Sequence, residues 1–490
     1  MQNPKASNNK IQNPKSKIQN GNVSPARLAA FEILSEIESN GAFTSILLPR
    51  YEENLAPNDR ALCHEITLGV LRNEMFLDAL ISHFSGKPIA KLDSAVKIAL
   101  RIALYQIRFL SKIPESAAVN ESVNLIYHAK LRSAVPFVNA ILRRSLRERD
   151  FDVLANITNP LEKLSIETSH PVWLLEKWTK QFGFEETSKL AQTNNFAPTT
   201  AFRLTNDADD STLQLLIENG AKLEKSDFVE TAWRVKGASQ TLRELVEGGK
   251  IYIQDEASQL VASQAVQSPK SKVQSPNEIQ NSSSSETFNS QLSTFNFLEV
   301  CAAPGSKLSQ IVNRLAALDL GLGTLDLLCA GDFTIPRIKI LRETLNKFGG
   351  ESVNVLRYDA EKSLPFADET FDCVLLDAPC SGTGTIRHNP EIRYLLQTND
   401  FAELSEKQFR ILTNAAKTVK RGGRLIYSTC SLEIEENENV ITKFLATNPD
   451  FEQTPLDLSP ELLIDSGAAR TFPPRDDVDG FFIAQLTRKS

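Results

Sequence analysis

Residues 371–384 read FDCVLLDAPCSGTG, and the fold turns on how this stretch is read. An apolar run ends in Asp377, a proline follows, and Cys380 then sits on a turn of small residues. A short continuous apolar run bounded by turn residues is the pattern of a strand buried on both faces, as in a parallel sheet. The pattern recurs on either side, in FNFLEV (295–300), LDLLCAGD (325–332), VNVLRYD (353–359) and GRLIYSTC (423–430). Helical patterns such as PRIKILRETLNKFG (336–349) lie between several of them. Alternation of this kind predicts an α/β, Rossmann-like, doubly wound and mostly parallel sheet over 251–488, with ligands at the carboxyl ends of its strands.

Those strand ends carry chemistry. The first strand feeds into CAAPGSK, residues Cys301, Ala302, Ala303, Pro304, Gly305, Ser306 and Lys307. Small residues let backbone approach a ligand, Gly305 can take a positive φ, and N–H groups at a helix start favour an anionic group. Lys307 reads equally well as a surface lysine. Asp332 ends the second strand, where an acid commonly accepts hydrogen bonds from ribose hydroxyls. Asp359 and Asp377 end the third and fourth. One aspartate alone is as readily a helix cap; three on one rim point to a nucleoside-type cofactor. The GxGxxG fingerprint is absent, which argues against NAD or FAD.

Cys380 and Cys430 follow the fourth and fifth strands and are expected to open into one cleft. A thiol near pKa 8.5 is only a few per cent thiolate at neutral pH, and a helix N-terminus or nearby cation increases that share. From spacing alone either sulfur is a nucleophile, an assistant or a packed loop residue. Cys63, Cys329 and Cys373 read as small buried hydrophobes, and Cys301 as a backbone contact within its turn.

The rest of the chain bounds these readings. At 490 residues there is room for about three domains. Composition is that of a soluble globular protein, 41% hydrophobic and 23% charged. The net charge of −7 means that a nucleic-acid partner has to meet a local basic patch. No secretory signal or membrane span is evident, and six scattered cysteines do not resemble a disulfide framework, so a cytoplasmic location is expected. Five histidines and no CxxC pair leave a metal site unsupported.

Residues 1–22 are expected to be a disordered tail, and QNPKSKIQN (12–20) has a near-copy in QSPKSKVQSPNEIQN (267–281), inside an expected disordered insertion at 267–294. Residues 24–150 read as an all-α domain. In DSAVKIALRIALYQIRFL (93–110), Val96, Leu100, Leu104 and Ile107 form one stripe. Lys97, Arg101 and Arg108 share another, read first as a solvated face and second as an RNA contact. A denser cluster, Lys130, Arg132, Arg143, Arg144, Arg147 and Arg149 against Glu148, is a candidate for phosphate contacts. Residues 165–250 mix helices with strand-like pieces, TTAFRLTN and TAWRVKG, and read as a small α+β module.

The segments CAAPGSK, DAPCSGTGTIRHNPEIR, YSTCSLEIEENENVI and DGFFIAQL (479–486) resemble the RNA cytosine-C5 methyltransferase family, the NOL/NSUN/Sun group. The helical block resembles the NusB fold. Together they are similar to bacterial 16S ribosomal RNA cytosine-C5 methyltransferases, whose family target is cytosine 967. The resemblance implies a class I methyltransferase domain with S-adenosylmethionine held at Cys301–Lys307, Asp332 on the ribose, Asp359 near the adenine and Asp377 at the methyl-donor end. It implies Cys430 as nucleophile and Cys380 as the cysteine assisting product release. It also implies a single-stranded or loop cytosine as target; no metal and a monomer are expected besides. Ser306, Leu308 and Glu299 stand where the family pattern has Gly, Thr and Asp. Alternatives are a transfer-RNA methyltransferase, a DNA cytosine methyltransferase attacking from Cys380, and a non-catalytic RNA-binding or antitermination factor.

Overall fold

A computed structural model describes residues 23–266, 295–317 and 327–490. The expected tail and insertion lie outside the described residues. The chain divides into two compact units, up to Ser169 and from His170 onward.

The first unit is helical, with helices Pro25–Asn40, Thr44–Glu52, Pro57–Arg72, Glu74–Ser85, Ser94–Phe109, Glu115–His128, Val135–Arg147 and Pro160–Thr168. Helix Ser94–Phe109 is its centre. Asp93 caps it by accepting from Ala95 N–H at 2.9 Å, and Val96, Leu100 and Leu104 are buried as their stripe predicts. The second stripe departs from expectation. Arg101 is not solvated: its side chain is 8% exposed, with Nε 2.7 Å from Asp78 Oδ1 and a terminal nitrogen 3.2 Å from Glu74. A guanidinium among carboxylates supplied by other helices is stable inside, whereas an unpaired one is not. Burial pushes the Glu74 carboxyl up to about 7 even beside Arg101. Arg108 donates to the carbonyl of Arg149.

The second unit opens with helices Val172–Phe182 and Phe184–Thr193, then a βαββαβ module. Strands β1 (Thr200–Leu204), β2 (Lys222–Lys225), β3 (Ala232–Lys236) and β4 (Ile251–Ile253) form an antiparallel sheet in the order β2-β3-β1-β4. Helices Ser211–Glu218 and Ser239–Glu247 contribute Leu216, Leu242 and Leu245 to its core. This is a ferredoxin-like arrangement. Its edges differ from those expected. Phe202 pairs with Ile253, so 251–253 joins the small sheet, and helix Pro160–Thr168 packs on Glu74–Ser85 in the first unit. An isolated apolar triplet does not announce which sheet it will join.

The remaining strands are β5 (Phe297–Glu299), β6 (Leu328–Asp332), β7 (Asn354–Arg357), β8 (Phe371–Asp377), β9 (Val419–Thr429), β10 (Phe451–Thr454), β11 (Ala469–Arg470) and β12 (Phe482–Arg488). They form one sheet ordered β10-β12-β9-β8-β5-β6-β7, with β11 beside β12. Strands β5 to β9 pair in parallel, and β12 runs antiparallel to β9. Chain order reverses between β5 and β8, the position where open α/β sheets part to admit a ligand. Beside it, β8 and β9 are neighbours with Asp377 opposite Ser428, which brings the turns carrying Cys380 and Cys430 together.

Candidate active site

Strand β5 ends in Glu299 and runs through the turn 301–305 into helix Ser306–Ala317. Gly305 has φ 103°, and a Cβ there would lie 2.9 Å from Leu341 Cδ1. Only glycine fits without strain. Ser306 has no such positive φ, and Leu308 is fully buried in the core behind the turn. These two of the three departures from the family pattern therefore fall where the turn accepts them.

Asp332 ties the end of β6 to this turn. Its Oδ2 accepts from Ala303 N–H at 3.1 Å, and its Oδ1 from Phe333 N–H at 2.8 Å. Arg337 grips both oxygens, at 2.7 and 3.0 Å, and also donates to Ala303 O at 2.9 Å. Asp359 stands two residues beyond β7 and accepts from Glu361 N–H at 3.1 Å, closing its own turn.

Glu299 is 2% exposed, and its Oε2 has no hydrogen-bond partner among the described residues. Burial pushes its carboxyl up to about 8. An orphaned buried carboxyl oxygen at the end of β5, where the glycine turn begins, fits a ligand that brings a cationic group of its own. Lys307 is not a surface lysine. Its Nζ lies 2.6 Å from Asp377 Oδ2 and 5.4 Å from the centroid of Phe481. Burial works against its charge, yet Asp377 and Glu299 together hold its pKa above the ordinary value. The second oxygen of Asp377 accepts from Ser428 Oγ at 2.8 Å.

The thiols meet where β8 and β9 end: Cys380 Sγ lies 3.3 Å from Cys430 Sγ. Gly384 N–H donates to Cys430 O at 3.0 Å, and Gly480 N–H donates to Gly384 O at 2.8 Å. A Cβ on Gly384 would lie 1.9 Å from Gly480 O, so the SGTG and DGFF segments touch through backbone. The hydrogen bond with Cys430, then burial, raise the Cys380 thiol well above its usual pKa. Burial likewise lifts Cys301 and Cys63 to about 12 and Cys329 and Cys373 to about 11, which keeps those four protonated and inert. All six cysteines are free. Among the described residues no cluster of His, Cys, Asp and Glu could hold a metal ion, and no helix is long and apolar enough to cross a membrane.

Sequence reasoning gave no role to Arg337, Ser428 or Glu436. A signal for the last was present: Ser381 and Ser431 each follow a cysteine, and both hydroxyls reach Glu436 Oε2 at 2.5 Å.

Comparison with known proteins agrees with this architecture. Residues 289–487 match the family described as 16S rRNA methyltransferase RsmB/F, 24–147 the NusB family, and 170–241 the ferredoxin-like domain of RsmF/B-like methyltransferases. The chain is 33% identical over 475 residues to a probable ribosomal RNA small subunit methyltransferase B of Bacillus subtilis, covering 94% of this chain and 98% of that one. A Synechocystis protein with the same description is 31% identical over 483 residues, covering 94% and 99%. The crystal structure of PH0851 superposes with a TM-score of 0.74 at 25% identity, over 96% of this chain and 100% of that one.

Proposed function

The chain belongs to the ribosomal RNA small subunit methyltransferase B family, and from that premise we propose that it methylates C5 of a cytosine in 16S ribosomal RNA through a transient bond between Cys430 and C6 of the base. The family target, cytosine 967, is the proposed position. S-adenosylmethionine, when bound, supplies an electrophilic methyl group. The turn Cys301–Lys307 would hold its methionine end, with the free oxygen of Glu299 turned to the ammonium and Asp359 to the adenine side, while Asp332, whose oxygens are filled by Ala303, Phe333 and Arg337, would exchange Arg337 for the ribose hydroxyls.

Cytosine C5 is too electron-poor to take a methyl group unaided. Addition of the Cys430 thiolate to C6 moves electron density onto C5, and Asp377, held between Lys307 and Ser428, supports protonation at N3. After methylation the C5 proton and the proton at N3 must leave, the latter by the Asp377 side it came from, and the C6–sulfur bond must break. The C5–H electrons form the C5=C6 double bond, and the C6–S pair returns to Cys430. Cys380 gives its proton to that departing sulfur and takes the C5 proton in its place. The raised Cys380 pKa suits a group that enters this step protonated.

The observation that supports the reading most is the pair of sulfurs 3.3 Å apart at the ends of adjacent strands, beside Asp377. Transcripts carrying 5-fluorocytosine test the reading. The parent protein is expected to form a denaturant-resistant conjugate that maps to residue 430, Cys430→Ala to form none, and Cys380→Ala to accumulate conjugate on ordinary transcripts. Turnover of ordinary RNA by Cys430→Ala would overturn it. Bisulfite sequencing of total RNA, with and without the gene, then tells ribosomal from transfer RNA and gives the position.

A further inference from the structure

One buried carboxylate reaches both thiol-bearing turns. Glu436 is 0% exposed and forms no ion pair among the described residues. Four donors surround it: Ser381 N–H and Gln408 Nε2 reach Oε1, each at 2.9 Å, while the Ser381 and Ser431 hydroxyls reach Oε2, each at 2.5 Å. That set fills the acceptor capacity of an ionised carboxylate. Gln408 also donates to Pro379 O at 3.0 Å, so the Cys380 turn is braced from its other side. Tyr427 Oη donates to the carbonyl of Glu436 at 2.6 Å, which fixes the residue against β9.

We propose that Glu436 is the positioning residue of the two-thiol reaction, locking the Cys380 and Cys430 turns into one unit and setting the sulfur-to-sulfur distance that product release needs. This rests on the covalent reading above. The serines are the residues next to the two cysteines, so a shift of the carboxylate moves both sulfurs. The two turns also touch directly, Leu432 N–H donating to Thr383 Oγ1 at 3.0 Å, and Asn437 Nδ2 holds the Cys430 turn by donating to Ser431 O at 2.8 Å. A buried charge without a cation is costly, and apolar groups of similar shape commonly fill such a place at no loss of stability. What an apolar group does not supply is one acceptor shared by two turns. It also supplies no negative charge, and the charge on Glu436 is among the causes that keep Cys380 protonated, after the Cys430 hydrogen bond and burial.

The test uses the full chain with Glu436→Gln and Ser431→Ala. The amide keeps the shape, and the serine hydroxyls can turn round to accept from it. Alkylation by iodoacetamide, read peptide by peptide across pH without RNA, reports the ionisation of each thiol. Glu436→Gln is expected to move the Cys380 profile to lower pH and leave S-adenosylmethionine binding by calorimetry as in the parent. Turnover is expected to fall about a hundredfold, the cost of misplacing reacting groups by about an ångström. Ser431→Ala removes one hydroxyl from the Cys430 turn and is expected to slow turnover while raising the steady-state fraction of RNA conjugate. If Glu436→Gln does not fold, Ser431→Ala decides alone. Parent-like alkylation and turnover in the folded variants overturn the proposal, because a carboxylate that only fills space leaves the Cys380 profile in place. Absence of conjugate in the parent protein would sink the covalent reading instead, and the RNA-free alkylation arm still decides the clamp.

Discussion

At residue scale the rim of the sheet is governed by how buried charges are paired. Glu299 has an unpartnered oxygen, and burial pushes its carboxyl from 4.5 to about 8. Between those values the unfolded chain ionises while the folded one stays neutral, so the folded state binds the extra proton and stability falls as pH rises. The slope is about 1.4 kcal/mol per pH unit within that window. Glu299→Gln removes it: urea unfolding is expected to show the variant gaining on the parent from pH 5 to pH 8 and converging with it below about pH 4.5. Equal pH dependence of the two would contradict the assignment. Lys307 is the opposite case, a buried cation with a partner 2.6 Å away. Lys307→Met strands Asp377 with Ser428 alone and is expected to cost roughly 3 kcal/mol in the same measurement, with turnover lost as well.

At the scale of elements, the two thiols were legible because each ends an apolar run, and parallel strands of such runs put their turns at one end of the sheet. The acid on β6 was legible for the same reason. Glu436 was less so: in EIEEN it is one of three acids, two of them buried, and only the serine beside each cysteine pointed to an acceptor that the turns share. Its partners Ser381 and Gln408 lie 55 and 28 residues away, a pairing that only the folded chain creates. Helix Val172–Phe182 is a second such case. Trp178, fully buried, donates its indole N–H to Glu433 Oε1 at 2.9 Å, and Gln181 Nε2 donates to Leu432 O at 2.9 Å. The helix thus backs the segment that follows Cys430. Trp178→Ala opens a cavity and takes the indole donor from Glu433, already raised by burial, leaving Lys177 Nζ 3.3 Å from its other oxygen. A loss of about 3–5 kcal/mol is expected by urea unfolding, with faster alkylation of Cys430 as the loop loosens. Unchanged Cys430 reactivity in a measurably destabilised variant would show that the helix does not support the thiol.

At the scale of the whole molecule, a net charge of −7 sets the problem of how a polyanion is met at all. Counting cations along the first unit overstates the supply. Arg101 is spent inside the helical core, Arg144 pairs with Glu148 at 2.7 Å, and Arg149 pairs with Glu115. Lys130, Arg132, Arg143 and Arg147 remain exposed. Arg143 and Arg147 are one helical turn apart on Val135–Arg147, so they share a side of that helix. These four are the cations expected to meet phosphate from the first unit. Replacing Arg132, Arg143 and Arg147 by alanine is expected to leave unfolding unchanged, since each side chain is exposed. Affinity for a 16S RNA fragment, measured by anisotropy over a salt series, should fall most at low salt. Each phosphate that goes without its cation flattens the plot of log affinity against log salt by about 0.7 to 0.9. The triple replacement should therefore change the slope by about 2. Parallel lines for variant and parent would place the phosphate-binding cations elsewhere, because a cation that releases no counterion on binding touches no phosphate.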